Sequence, residues 1–262
     1  MSSIEGRFTW YELMTTDTKA AAAFYGDVVG WGTQDASMPG TAYTLFTAGA
    51  APVSGLMELP GDARRMGVPP SWVGYVSVDD VDATADRVQR LGGAVHLPPR
   101  DIPNIGRFAV IADPQAAGLA LFSPLDSYQG PSPAPGTPGC IGWHELLATD
   151  WEGAFAFYAE LFGWRKADAV DIGEMGTYQL FSAGGQTIGG MFTKPPTVPA
   201  PFWLYYINVG DIDAAVERVR AGDGRILNGP MQVPGGDWII QGMDPQGAMF
   251  ALAGQRGQSA KA

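Results

Sequence analysis

Apolar and polar positions fall into the same order four times along the chain. Phe8 to Leu13 is an apolar run that predicts a strand. Asp17 follows with a side-chain oxygen for the first unpaired N–H groups of a helix. Ala20, Phe24 and Val28 predict the buried stripe of that helix, and Gly30 predicts its end. Tyr43 to Thr47 and Val53 to Glu58 read as strands joined by a turn at Gly49. The plan then repeats. Trp72 to Val78 is a strand, Val81, Ala85 and Val88 are a helix stripe, and Gly92-Gly93 end that helix. Arg107 to Ile111 and Leu119 to Phe122 are strands separated by an Asp-Pro turn.

These two modules are written a second time. Trp10-Tyr11-Glu12-Leu13 reappears as Trp143-His144-Glu145-Leu146, 133 residues later. Phe24-Tyr25 and Gly30-Trp31 return at the same shift as Phe157-Tyr158 and Gly163-Trp164. Val78 to Ala83 returns as Val209 to Ala214, and Asp113-Pro114-Gln115 as Asp244-Pro245-Gln246, both shifted by 131. The duplication acts as an internal alignment, because residues kept in both copies answer to the fold or to a site each copy carries. Gly130 to Gly139 is rich in proline, which denies ladders their donors, and reads as the joint between copies. The expected partition is a first domain over 6–125, a linker over 126–138, a second domain over 139–254 and a tail over 255–262. Shorter proline-rich connectors, Gly67 to Pro70 and Lys194 to Pro201, divide each copy into its modules.

Composition narrows the function classes. A hydrophobic share of 46% can bury a substantial core. A net charge of −11 argues against nucleic acid and anionic membrane as partners, since both call for a basic surface. Cys140 is the one cysteine, so no intramolecular disulfide forms, which suits a reducing cytoplasm. The first residues carry no apolar signal segment, and no apolar run is long enough to cross a bilayer.

Strand, helix and three strands, paired within a domain, with Phe-Tyr and Gly-Trp closing the first helix and an Asp-Pro turn before the last strand, resemble the vicinal oxygen chelate superfamily. That group includes glyoxalase I, bleomycin-resistance proteins and extradiol dioxygenases. The tandem form is similar to bacterial two-domain proteins labelled hydroxylase or glyoxalase. The resemblance implies an α+β fold in which four βαβββ modules form two open, cup-shaped mixed sheets, with the ligand inside each cup. It also implies a divalent metal, held by residues seven before each helix-capping Asp and seven after the Asp of each Asp-Pro turn. Those positions are Trp10, Val73 and Ala120 in the first copy and Trp143, Leu204 and Ala251 in the second. None offers a lone pair to a cation. No cofactor is therefore expected.

Two histidines remain. His96 faces Leu227 in the internal alignment and reads as a surface or partly buried residue. His144 adjoins Trp143, so strand alternation turns it to the helix layer if Trp143 faces the cup. A slip of register would turn it inward.

The same alternation sets Trp10, Glu12 and Met14 on one face, and Trp143, Glu145 and Leu147 on its counterpart. Val73 with Tyr75, and Leu204 with Tyr206, share the matching faces of the second and fourth modules. Trp10, Glu12, Tyr75, Trp143, Glu145 and Tyr206 are thus the candidate ligand-binding residues. Two readings of the glutamates stand side by side. Each fixes a polar or cationic ligand group or acts as a base, or each accepts hydrogen bonds from nearby hydroxyls and holds the strands. The tryptophans divide likewise between stacking and core filling. Gly49, Gly55, Gly184 and Gly190 read as turn and bulge positions. No residue is assigned to catalysis. The expectation is a metal-independent binder of a small aromatic or amphipathic molecule, cytoplasmic, as a monomer or homodimer. The alternative is a lyase, isomerase or dioxygenase-like enzyme using an atypical metal site or Glu/Tyr acid–base chemistry.

Overall fold

Four helices begin at an aspartate, and that local device sets the period of the whole chain. In a computed structural model that describes residues 4–125 and 136–257, Asp17, Asp80, Asp150 and Asp211 are the N-caps, each side chain accepting backbone N–H groups of the first turn. Most of the expected linker, residues 126–135, and residues 258–262 of the tail lie outside the described residues.

The first module is β1 (Phe8–Thr15), α1 (Thr18–Val29), β2 (Gly32–Asp35), β3 (Thr44–Ala48) and β4 (Ala51–Glu58), followed by a short α2 (Gly61–Arg65). The second is β5 (Ser71–Ser77), α3 (Val81–Arg90), β6 (Ala94–Ile102), β7 (Gly106–Ala112) and β8 (Gly118–Pro124). The third is β9 (Ile141–Ala148), α4 (Trp151–Phe162), β10 (Arg165–Asp171), β11 (Thr177–Ala183) and β12 (Gln186–Thr193). The fourth is β13 (Phe202–Val209), α5 (Ile212–Ala221), β14 (Arg225–Gln232), β15 (Trp238–Met243) and β16 (Met249–Gly254). The fold is α+β, with two open mixed sheets of eight strands in the orders β2-β3-β4-β1-β5-β8-β7-β6 and β10-β11-β12-β9-β13-β16-β15-β14. Each module's first and last strands pair in parallel, and the strands between them pair antiparallel.

Two details depart from the pattern read along the sequence. The buried stripe of α1 is Ala21, Phe24, Tyr25 and Val28, with Ala20 only half-buried. A pure four-residue step drifts around a helix of 3.6 residues per turn, so mixed steps of three and four stay on one face. β2 is exposed at all four positions and so carries no apolar alternation to announce it.

Contacts gather the chain into two units. One comprises Met1–Trp10, Val73–Gly130 and His144–Leu204, the other Tyr11–Trp72, Pro131–Trp143 and Tyr205–Ala262. Each unit therefore unites one module from each copy, the second with the third and the first with the fourth. In the latter, Tyr25 packs among Trp31, Phe46, Trp72 and Phe250. Its hydroxyl donates to Asp244 Oδ2 at 3.2 Å and accepts from Trp72 Nε1 at 2.9 Å. Asp244 Oδ1 takes the N–H groups of Gln246 and Ala248 at 3.0 and 2.8 Å, which closes the Asp-Pro turn. The other unit repeats the arrangement. Tyr158 donates to Asp113 Oδ2 at 3.1 Å and accepts from Trp203 Nε1 at 3.1 Å, while Asp113 Oδ1 takes Gln115 and Ala117. Burial pushes both aspartates above the usual carboxylate range, against the donors that hold them down. Trp31 and Trp164 pack just past the helix ends, and their Nε1 groups donate to Gly139 O and Gly6 O at 2.7 and 2.6 Å. Among the described residues no helix is long and apolar enough to cross a membrane.

Tyr25→Phe and Tyr158→Phe each remove a donor from a buried carboxylate and an acceptor from a buried indole. Each substitution is expected to lower the unfolding free energy by about 1–3 kcal/mol, read from urea midpoints. A change indistinguishable from zero at both sites would show that these bonds do not hold the modules of each unit together.

Candidate functional site

Glu12 sits in the middle of β1 and is 8% exposed. It lies in register with Gly55 on β4, and its Oε2 accepts the Tyr43 hydroxyl at 2.9 Å. The second copy builds the same trio. Glu145 is 7% exposed, pairs with Gly190 on β12, and accepts the Tyr178 hydroxyl at 3.0 Å. A carboxylate on an apolar strand face needs such a partner, since an unpaired one loses its hydration without replacement.

The two glycines explain how the partner reaches it. A methyl group at Gly55 would overlap the Tyr43 ring, and one at Gly190 the Tyr178 ring. Tyr43, just before β3, and Tyr178, on β11, lie over the bare backbone and extend to the glutamates. Gly55 and Gly190 are therefore not turn or bulge positions, as the sequence suggested. They lie inside β4 and β12, without the left-handed backbone of the turn glycines Gly49 and Gly184. Both tyrosines escape a reading of the sequence. They match at a shift of 135, as do the glycines, whereas the flanking motifs match at 133 and 131.

Trp10 is half-buried and packs with Val73, Ile102, Ile105 and Phe108 against Tyr75, Ala120 and Phe122. Tyr75 meets Phe108 and Phe122 with ring centroids 6.2 and 6.4 Å apart. Trp10 and Tyr75 are thus brought together in an apolar cluster. In the second copy Trp143 is half-buried, two residues before Glu145. Tyr206 is buried, and its hydroxyl accepts from Gln241 Nε2 at 2.8 Å. Met14 is half-buried, and Leu147 and Leu204 are buried.

The positions where the resemblance places metal ligands are filled by packing groups. Ala120 lies in register with Tyr75, and Ala251 with Tyr206. Both alanines are fully buried. The residues present do not fit a divalent cation: indole, isopropyl, isobutyl and methyl groups supply no electron pair. Among the described residues no three His, Cys, Asp or Glu side chains gather in a way that could hold an ion. His96 is exposed on β6. His144 is 6% exposed, stacks on Phe8 with centroids 3.9 Å apart, and directs Nδ1 to Ile188 O at 2.6 Å. A carbonyl only accepts, so Nδ1 carries the proton there. The first-copy counterpart, Tyr11, is also buried, edge-on to Tyr205.

A family profile described as the Glyoxalase/Bleomycin resistance protein/Dioxygenase superfamily matches residues 7–120 and again residues 141–252. The chain is 34% identical over 251 residues to the protein named "Putative glyoxylase CFP32" of Mycobacterium bovis, covering 95% of this chain and 94% of that one. It is 31% identical over 260 residues to the anthracycline biosynthesis protein DnrV of Streptomyces peucetius, covering 94% and 92%. Its fold resembles that of the Mn(II)-bound glyoxalase from Novosphingobium aromaticivorans, with a TM-score of 0.65 at 18% identity, covering 97% of this chain and 83% of that one.

The setting of His144 has a consequence for acid stability. Burial drags its pKa from 6.5 to about 4, against the opposing bond to Ile188. The unfolded chain therefore takes up the proton first on acidification. The stability that goes with a neutral His144 is whole above pH 6.5 and drains away as pH falls towards 4. The full loss is on the order of 3 kcal/mol. His144→Gln keeps a donor for Ile188 O and does not titrate. Urea unfolding of both proteins at about pH 7.5 and about pH 4.5 is expected to show the wild type losing more stability than the variant. Equal losses would place the imidazole in water.

Proposed function

This chain belongs to the Glyoxalase/Bleomycin resistance protein/Dioxygenase superfamily, and we propose that it binds small aromatic or amphipathic molecules on its sheet faces without a metal. The observation that carries this reading is the glutamate–tyrosine pair built twice on strands where the family's metal ligands are replaced by hydrophobic side chains. A tyrosine-paired carboxylate offers an anchor for a ligand hydroxyl or cation, and an aromatic neighbourhood such as that of Trp10 and Tyr75 offers a surface for a flat ring. One relative is named for anthracycline biosynthesis. Anthracyclines are flat polycycles with hydroxyl groups, and a ligand of that chemistry suits both features. The single buried cysteine is compatible with work in the cytoplasm.

The same pairs support a second reading. A carboxylate hydrogen-bonded to a phenol is also the arrangement of an acid–base couple, and it would serve a lyase or isomerase that removes a proton from a bound substrate. Binding comes first in both readings, and conversion of the ligand separates them.

Tryptophan fluorescence titration with a panel of hydroxylated naphthalenes and anthraquinones, in excess chelator, tests the proposal. At least one compound is expected to quench with saturation, and Glu12→Gln with Glu145→Gln together to weaken it by roughly tenfold. Absence of saturable quenching across the panel, or quenching that appears only with an added divalent ion, would overturn the metal-free binding reading. Appearance of a product in the same mixtures would favour the enzyme.

A further inference from the structure

The two copies differ in polarity along one line of cross-strand neighbours. In the second copy Tyr206 on β13 lies in register with Ala251 on β16, Ala251 with Gln241 on β15, and Gln241 with Asn228 on β14. In the first copy the same four places are Tyr75, Ala120, Val110 and Leu97. The side chains of each line share one face of their sheet, as cross-strand neighbours in register do. Gln241 is half-buried between buried Ile240 and Gly242, and Val110 is half-buried between buried Ala109 and Ile111.

The first line is apolar apart from the Tyr75 hydroxyl. The second is polar at three of four places, and its groups are joined. Gln241 Nε2 donates to the Tyr206 hydroxyl across the small Ala251 side chain, and Asn228 Nδ2 donates to Gln241 Oε1 at 3.4 Å. A carboxamide held at both ends has a fixed orientation, which a recognition group needs and a solvated surface amide lacks. The walls differ too. Phe108 and Phe122, which close around Tyr75, correspond to Ile239 and Ala253, so two large rings are lost beside Tyr206. A change at one position would be drift. Here two apolar side chains become amides and two aromatic ones shrink, all on one face.

We propose that the two copies are specialised by ligand polarity, with Gln241 the residue that makes the second copy select a hydroxyl- or carbonyl-bearing aromatic molecule and the first copy accepting the bare aromatic frame. This rests on the small-molecule-binding reading given above. The physical reason is the asymmetry of hydrogen-bond selection. An apolar analogue strips water from the remaining donor and acceptor positions of such oriented amides without replacing it, whereas an apolar wall discriminates weakly against an added hydroxyl.

Two probes of nearly equal shape, 2-naphthol and 2-methylnaphthalene, test this by equilibrium dialysis against the full chain. Gln241→Val writes the first copy's residue into the second, and Val110→Gln does the reverse. Gln241→Val is expected to weaken 2-naphthol binding at its tighter site by roughly tenfold and to strengthen 2-methylnaphthalene binding there. Val110→Gln is expected to strengthen 2-naphthol binding at the weaker site and to weaken 2-methylnaphthalene there. If the wild type binds both probes and neither substitution changes their ratio, the division of labour is wrong while binding stands. If the wild type binds neither probe, the binding reading and this inference fall together for naphthalene-sized ligands. Should Gln241→Val fail to fold, Val110→Gln alone decides: a gain for 2-naphthol supports the assignment and no gain overturns it.

Discussion

A buried carboxylate must be given a hydrogen-bond donor, and this chain meets that demand with tyrosine four times. Asp244 and Asp113 lie under Tyr25 and Tyr158. Glu12 and Glu145 lie under Tyr43 and Tyr178. Removing a hydroxyl from any of them leaves charge in a low-dielectric setting, a cost larger than the bond's net worth in water. The aspartate pairs join modules distant in sequence. Tyr25 stands in the first module and Asp244 in the fourth, Tyr158 in the third and Asp113 in the second. The helix of one copy thus depends on a turn of the other, and the linked Trp72 and Trp203 indoles bring a further residue of each unit into the same bond chain.

Local devices are what the sequence makes legible. An aspartate one residue before an apolar stripe, a glycine after it and an Asp-Pro turn each act over a few residues, and each recurs where the internal alignment puts it. Pattern alone therefore locates the strand carrying Glu12 and the strand carrying Glu145. It does not locate their partners. Tyr43 stands 31 residues from Glu12 and Tyr178 33 from Glu145, and the two-residue difference breaks the alignment at the place where it matters. Gly55 and Gly190 mislead because a strand glycine looks the same in sequence whether it bends the backbone or clears space for a ring. The Tyr25–Asp244 bond spans 219 residues and exists only once the units have formed. β2, exposed on every residue, gives no apolar signal at all.

Duplication also left the copies free to diverge. The elements that hold the fold are kept: four capping aspartates, two Phe-Tyr pairs, two Asp-Pro-Gln turns. The face around Tyr75 and the face around Tyr206 are not kept, with Val110, Leu97, Phe108 and Phe122 answered by Gln241, Asn228, Ile239 and Ala253. His144, stacked on Phe8, answers Tyr11 in the same way. These substitutions spare the residues that carry the inter-module bonds, as expected when a stable frame is retained and its recognition surfaces change.

Hydrophobic side chains stand where the resemblance places metal ligands, and the neighbouring carboxylates accept from tyrosine. Elemental analysis of protein purified without chelator and exchanged into metal-free buffer reads whether either copy nonetheless holds an ion. Far less than one equivalent of manganese, iron, nickel or zinc per chain is expected. A full equivalent per copy, lost when Glu12 and Glu145 are changed to Gln, would contradict metal-free binding.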